Sequence, residues 1–258
     1  MKKLMFTLMA AAMTLVPAIA QNRVKYLSTT TETLNVSELQ VADQTVQISR
    51  YLFAGYNTIC LPMTLSAEQL QAAAKGVRVE RLAAIRQEGS TLNLYFVDCT
   101  DEGIQAGLPY LIYSPKMQSM RARSNDALSI STDILPVTLS DNAGNRVSFC
   151  GSYVSLTGEG NRYGIPAKQD VEILESVLLP TSADKTFLPT RCGITWELQT
   201  ATATQMEVKH AVSLDEVTAI TAVTGAQSDK AIYDLSGRRS NGTQKGIYVV
   251  DGKKKAVK

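Results

Sequence analysis

Apolar and polar residues alternate along most of the chain with a period of two, the pattern of half-buried β-strands. In "QTVQISRYL", Val46, Ile48 and Leu52 fall on one face, while Gln47 and Ser49 fall on the other. Because successive side chains of a strand point to opposite faces, the pattern predicts a strand whose first face is buried.

Later stretches repeat this pattern. In "TLNLYFVD", one face carries Leu92, Leu94 and Phe96. The other face carries Tyr95 and Val97. In "GITWEL", Ile194, Trp196 and Leu198 share a face, and we expect Trp196 to anchor the core with its indole N–H bonded to a partner. Such runs recur at roughly ten-residue spacing with turn signals such as "DNAGN" between them, which predicts a β-sandwich or a related all-β domain.

One stretch, "LSAEQLQAAAKG", departs from the alternation. Ser66 is a good N-cap, Gln69 stands at the capping-box position, and Gly76 can end a helix. The sequence therefore predicts an all-β, β-sandwich-like body with one short helix at about 66–75.

The N-terminus has the features of a secretory signal peptide. Lys2 and Lys3 precede an uncharged apolar run, and Pro17 precedes a small-residue site. We expect cleavage between Ala20 and Gln21. A membrane anchor is the alternative, but the proline and the small residues favour cleavage. No later stretch is apolar for long enough to span a bilayer, so the mature chain is expected not to be membrane-spanning.

Charge is distributed unevenly along the chain. The formal net charge is +2, and removing the two signal lysines leaves it near zero. Residues 230–258 contain eight basic and two acidic residues, so the preceding body is acidic. An acidic body argues against nucleic-acid binding. We predict that this basic C-terminal segment is solvated. Contact with anionic lipid or lipopolysaccharide is the alternative.

Four cysteines, Cys60, Cys99, Cys150 and Cys192, are widely spaced without a C-x-x-C motif, which makes a zinc site improbable. An even number in an exported chain permits two disulfides in three connectivities. Free buried thiols in a β-core are an equal alternative, and the sequence assigns no pairs.

The chain offers little catalytic chemistry. The single histidine, His210, is read as a strand residue facing solvent, and no nucleophile motif surrounds any serine. Asp98, Asp101 and Glu102 cluster in "VDCTDEG", where we predict a solvated turn; paired carboxylates for hydrolysis or calcium are the alternative. The sequence therefore predicts no enzyme, no cofactor and no metal site.

Composition divides the chain into a signal peptide (1–20), a β-rich body that has room for two sub-sheets (21–212), a polar linker (213–229) and a C-terminal tail (230–258). In the tail, "AIYDL" and "KGIYVV" alternate like strands, and Asp251-Gly252 is a strong hairpin signal. The tail is therefore predicted to form a small β-hairpin unit of its own.

The tail pattern "YDLSGR…KGIYVVDGKK…K" resembles the C-terminal segments that sort exported Bacteroidota proteins to type IX secretion. The resemblance implies recognition of the tail by secretion machinery, followed by its removal at the outer membrane. It rests on nine residues: Tyr233, Asp234, Leu235, Gly237, Arg238, Gly246, Ile247, Tyr248 and Lys253.

The body resembles secreted and surface proteins of the same bacteria, which are described as adhesin-like or of unknown function. The matching stretches are "GYNTICLPMTLSAEQL", "IQAGLPYLIY", "FCGSY" and "TRCGITWEL". This resemblance implies a location at the cell surface, associated with the outer membrane, or outside the cell, with the periplasm as the alternative. It carries no catalytic residues.

Together these features predict an exported, non-enzymatic binding or adhesin-like protein whose partner is a glycan or a host or envelope protein. Two alternatives stay open. One is a carbohydrate-active or peptidase-like enzyme that uses Asp98, Asp101 and Glu102. The other is a pilin-like or matrix subunit that assembles by strand addition at a sheet edge.

Overall fold

A computed structural model describes residues 25–27, 33–40, 45–125, 129–157, 162–165, 179–180, 186–198, 203–213 and 215–217, and the tail segments 232–234, 239–240, 246–250 and 253–257. The predicted signal peptide, its cleavage site at Ala20 and Gln21, and most of the predicted linker lie outside these residues.

Most of the described residues lie in β-strands. The helical segments are a 3₁₀ turn at Val36–Leu39, helix α1 at Ala67–Ala73 and a helical turn at 215–217. The strands are β1 (Lys25–Leu27), β2 (Val46–Leu52), β3 (Gly55–Ile59), β4 (Arg78–Glu88), β5 (Thr91–Asp98), β6 (Tyr110–Ser114), β7 (Gln118–Ser124), β8 (Val137–Ser140), β9 (Arg146–Ser152), β10 (Leu156–Thr157), β11 (Arg162–Gly164), β12 (Leu179–Pro180), β13 (Thr186–Phe187), β14 (Arg191–Glu197), β15 (Gln205–Ala211), β16 (Ile232–Asp234), β17 (Arg239–Ser240), β18 (Gly246–Val250) and β19 (Lys253–Val257). The predicted all-β fold class is confirmed.

The chain separates into two compact units, each built from non-contiguous segments. The first unit consists of Met1–Val79, Cys99–Thr138 and Val147–Trp196. The second unit consists of Glu80–Asp98, Leu139–Arg146 and Glu197–Lys258. The predicted boundaries at 212 and 230 stay predictions.

In the first unit, β2 pairs with β1 in parallel and with β7 antiparallel, and β3 pairs antiparallel with β6. A further sheet has the order β12-β11-β14-β9-β8, and β10 pairs with β13. Cys60, which follows β3, lies directly against Gly151 of β9. The end of β3 therefore packs closely against β9.

Strand β2 confirms the predicted buried face and adds a charge to it. Val46, Ile48 and Leu52 are at most 2% exposed. Arg50 has the same parity in the strand and is only 3% exposed. Gln47, on the opposite face, is buried as well. The second face of β2 is therefore covered at Gln47 but open at Tyr51, which is 42% exposed.

Helix α1 begins as predicted. The Ser66 hydroxyl accepts a hydrogen bond from Gln69 N–H, and the Gln69 side chain accepts one from Ser66 N–H, so both halves of the capping box are present. Gly76, at φ +73°, lets the chain turn into β4 after the helix. The buried residues of helix α1 are Leu70 and Ala73.

The expectation for Trp196 is wrong: its ring is half-buried and is no core anchor. Ile194 on the same face is 1% exposed, but Trp196 stands near the end of β14, where the strand leaves the buried region. Its ring packs edge-to-face against Tyr163, with centroids 5.2 Å apart. Among the described residues, its indole N–H has no hydrogen-bond partner.

In the second unit, β5 lies between antiparallel β4 and parallel β15. The β4–β5 register shifts between Leu82 and Ala84, which marks a bulge. Both faces of β5 are buried: Leu92, Leu94 and Phe96 are fully buried, and Tyr95 and Val97 pack with Ala211 and Val217. The division of faces is as predicted.

The tail strands form a sheet of order β17-β16-β18-β19. Val250 of β18 pairs with Lys253 of β19, so two residues connect them, as the Asp-Gly signal predicts. Tyr233 and Asp234 lie in β16, Gly246, Ile247 and Tyr248 in β18, and Lys253 in β19. Leu235, Gly237 and Arg238 lie outside the described residues. Of the helices that the structure describes, none is long and apolar enough to cross a bilayer.

Two glycines with positive φ differ in the space around them, and the difference tests the packing at Gly103. Gly103 (φ +78°) has no room for a Cβ, which would overlap the Leu65 carbonyl oxygen at the Leu65–Ile104 bridge. Gly89 (φ +61°) has open space at the same position. We expect Gly89→Ala to lower the free energy of unfolding by about 1–2 kcal/mol, from the backbone strain alone. Gly103→Ala should cost about 3 kcal/mol or more.

Urea denaturation of both variants measures this difference, with Gly89→Ala as the matched control. Equal losses in the two variants would contradict the close approach of Gly103 to Leu65.

Candidate functional site

The predicted carboxylate cluster is a turn. Asp101 and Glu102 are exposed, and Asp98 is half-buried at the end of β5. The turn closes through the hydrogen bond from Glu102 N–H to the Cys99 carbonyl, 2.9 Å long. None of the three carboxylates lines the cavity described below. Among the described residues, no group of three or more His, Cys, Asp or Glu side chains could hold a metal ion.

His210 does not simply face solvent, as the sequence suggested. Its Nδ1 lies 2.5 Å from Oε2 of Glu80, a residue that is only 3% exposed. The imidazole is about one-third exposed, so the pair sits at the edge of the second unit's sheet. Sequence reasoning missed the pairing because 130 residues separate the two side chains.

A cavity of about 80 Å³ opens on the outer face of the first unit's sheet. Strand alternation explains its lining. Val147, Phe149, Cys192 and Ile194 point into the core and are at most 1% exposed. The intervening positions of β9 and β14 face the cavity, Gly151 also borders it, and three residues from other segments complete its wall. The lining residues are Ser148, Cys150, Gly151, Ser152, Leu156, Arg162, Phe187, Arg191, Gly193 and Thr195.

Arg162 reaches the cavity because Gly193 on the neighbouring strand has no side chain. A Cβ at residue 193 would lie 3.0 Å from both Cγ and Cδ of Arg162. The guanidinium carbon of Arg162 then lies 5.9 Å from the centre of the Phe187 ring, a cation–π distance. Because Gly193 has no side chain, the Arg162 side chain can lie across the surface of the sheet.

The cavity is electropositive. Two arginines line it, and of the residues that the structure describes in its wall none is acidic. Burial lowers the pKa of Arg191, which is the expected result of removing a cation from water without an opposing charge. On the core side of the same sheet, burial and then repulsion by Arg191 lower the pKa of Arg50 to about 9.

Arg50 is held by one backbone carbonyl. Its Nη1 donates to the carbonyl oxygen of Thr190 at 2.5 Å, and Cys60 N–H donates to the same oxygen at 3.0 Å. Thr190 has φ +66°, and no other described non-glycine residue has a positive φ. An unfavourable backbone conformation is thus retained where it turns a carbonyl toward a buried cation.

Three of the four cysteines meet around Gly151. A Cβ at that residue would overlap Cys60 and would lie 3.8 Å from Sγ of Cys192. Cys150 precedes it and lines the cavity. Cys99 instead donates to the Val79 carbonyl. All four are unbridged.

The cavity thiol is not poised as a nucleophile. Burial raises the pKa of Cys150, while the positive charge of Arg162 opposes that shift. Because a thiol must lose its proton to attack, a raised pKa disfavours covalent chemistry at neutral pH. The arrangement is instead suited to binding: two arginines and the Ser148 and Thr195 hydroxyls can donate hydrogen bonds to an anionic group.

Sequence reasoning missed Arg50, Arg162, Arg191 and Gly151. One signal was available for Arg50, since it has the same parity as Val46, Ile48 and Leu52 in a strand whose face was predicted to be buried. The others had none, because the cavity depends on how β9, β11 and β14 pair.

Comparisons of the chain with protein-family models, with curated proteins and with solved structures find no match. The chemistry of the site therefore has to be judged from its own residues.

The buried thiol of Cys60 predicts an alkaline loss of stability in the reduced protein. Burial raises the pKa of Cys60 from 9.0 to about 12. The unfolded chain loses this proton first, so the thiol's contribution is complete below about pH 9 and is lost as pH rises toward 12. Between pH 8 and pH 10, Cys60→Ser should lose about 1 kcal/mol less stability than the native sequence.

Urea unfolding with a reducing agent present, at pH 7, 8 and 10, measures this difference. The pH 7 comparison separates the packing effect of the substitution from the titration. Parallel losses in both proteins from pH 8 to pH 10 would mean that the thiol titrates alike when folded and unfolded.

Proposed function

We propose that this chain is an exported, non-enzymatic binding protein whose electropositive cavity takes an acidic group of a glycan or of a host or envelope protein. One observation carries the proposal: Arg162 and Arg191 line a small cavity together with hydroxyl groups, and none of the described residues that line it is acidic. Arginine is the preferred residue for planar anions because its guanidinium can donate two parallel hydrogen bonds to one of them.

The size of the cavity limits what can enter it. A volume of about 80 Å³ is suited to a small anionic group of a few heavy atoms. The bound group is therefore a carboxylate or a sulfate that projects from a larger molecule, the rest of which lies over the surrounding surface.

Binding of an anion would also reduce the repulsion between two positive charges of the protein. Burial lowers the pKa of Arg50, and repulsion by Arg191 lowers it further. An anion beside Arg191 would offset that repulsion, so occupancy of the cavity should stabilise the first unit as well as hold the ligand.

Export is supported by the N-terminal signal pattern and by the tail's likeness to type IX sorting segments. The proposed course is cleavage before Gln21, passage with the aid of secretion machinery, and residence at the cell surface or outside the cell, with the periplasm as the alternative. The tail strands pair among themselves, which is compatible with a recognised C-terminal unit. No contact among the described residues favours the enzymatic or the pilin-like alternative.

Binding is tested with acids whose charge can be masked. We expect oligogalacturonate to bind more tightly than its methyl ester, or a peptide with a free C-terminus to bind more tightly than its amide. In Arg191→Gln, affinity for the preferred acid should fall about ten- to one-hundred-fold, the usual effect of losing a charged hydrogen bond. Isothermal titration calorimetry at low salt measures both effects.

The matched control is Arg78→Gln. Arg78 also lies over an aromatic ring, 4.9 Å from the centre of Tyr113, but it does not line the cavity. Its loss should change affinity less than about twofold, as expected for a remote surface charge. The binding proposal fails if no acid is preferred over its masked form, or if the two arginine variants behave alike.

Processing is tested separately by intact-mass spectrometry of the protein from fractionated native cells. We expect the chain to start at Gln21 and, in the surface fraction, to lack the residues after about 230, because both termini are read as signals. A full-length tail on protein recovered from the periplasm or the medium would overturn the sorting part of the proposal and leave the binding part standing.

A further inference from the structure

The thiols of Cys60 and Cys192 lie side by side in the core of the first unit. Cys60 N–H donates to the carbonyl of Thr190, and Cys192 N–H donates to the hydroxyl of Thr58 at 2.9 Å. These two hydrogen bonds run in opposite directions and hold the segment 58–60 against the segment 190–192. The two cysteines are respectively 0% and 1% exposed.

Gly151 of β9 provides the space in which the two sulfur atoms meet. A side chain at this position would overlap both Cβ and Sγ of Cys60, and its Cβ would stand 3.8 Å from Sγ of Cys192. One small volume, left empty by a glycine, is therefore bordered by both sulfurs. Any larger residue would push Cys60 away and close that volume.

Neither of the other cysteines has this arrangement. Cys150 lies on the cavity side of β9, where its thiol donates to the Gly151 carbonyl at 3.3 Å. Cys99 donates to the carbonyl of Val79 at 3.5 Å. Of the six possible pairs, the one formed by Cys60 and Cys192 has its sulfurs directed into one shared space.

We propose that Cys60 and Cys192 form an intramolecular disulfide when the chain folds in the presence of a disulfide oxidant. Two S–H bonds break and one S–S bond forms; two electrons and two protons pass to the oxidant, whose disulfide becomes two thiols. The bond would join the end of β3 to β14 and close a loop of roughly 130 residues, a length at which a crosslink strongly restricts the unfolded chain.

The timing of oxidation follows from burial. Because both thiols are sealed in the folded, reduced protein, and burial raises the pKa of each, an external disulfide can reach neither of them. Oxidation must therefore accompany folding. The folded, reduced protein should resist the same oxidant that readily acts on the refolding chain.

The experiment refolds the full chain from urea in a mixture of oxidised and reduced glutathione, followed by denaturation, alkylation and mass spectrometry of the peptides. We expect two alkylated cysteines, Cys99 and Cys150, and one disulfide-linked peptide pair containing Cys60 and Cys192. Native reduced protein exposed to oxidised glutathione without unfolding should keep all four thiols. The oxidised product should unfold at a higher urea concentration, by on the order of 1 M, than the product refolded with reductant.

Two double variants control for loss of folding. Cys99→Ser with Cys150→Ser should still form the bond and show the shift in midpoint; Cys60→Ser with Cys192→Ser should show neither. A fully reduced refolded product, a bond mapped to another pair, or a stable mixed disulfide with glutathione at Cys60 or Cys192 would overturn the proposal. None of these results bears on the arginine cavity.

Discussion

The carbonyl oxygen of Thr190 holds the first unit together at one point. It accepts hydrogen bonds from the Arg50 guanidinium and from the backbone of Cys60, while Thr190 N–H donates to Ser152 at 2.7 Å. Strands β2, β3, β9 and β14 thus meet at a single residue. Because a buried guanidinium without an acceptor would be very costly, this carbonyl must face inward, and Thr190 retains its positive φ to allow it.

Thr190 leads directly into the wall of the cavity. The next residue, Arg191, begins β14 and lines the cavity together with Cys150. Arg50 is buried on the core side, and its pKa is lowered first by burial and then by repulsion from Arg191. The positive charge of Arg191 in the cavity therefore acts on the buried charge of Arg50 in the core.

Glycines make both faces possible. On the core side, the absent side chain of Gly151 admits Cys60 between the sheets; on the outer side, the absent side chain of Gly193 admits Arg162 across the strand. Close packing leaves no other space for these groups. Buried Cys60 and Cys192 therefore lie on the core side of this sheet, while Arg162 and Arg191 line the cavity on its other side.

The sequence by itself determined the local elements: strands from two-residue alternation, the helix from its capping box, and the tail hairpin from Asp251-Gly252. These could be predicted because each depends on residues close together in the chain. Tertiary structure alone decided that Arg50 meets Thr190, that His210 meets Glu80, and that arginines from β11 and β14 share one cavity. Strand order and register bring such groups together, and neither is set by local pattern. Trp196 shows the same limit, since its face was predicted correctly but its position at a strand end left it half-exposed.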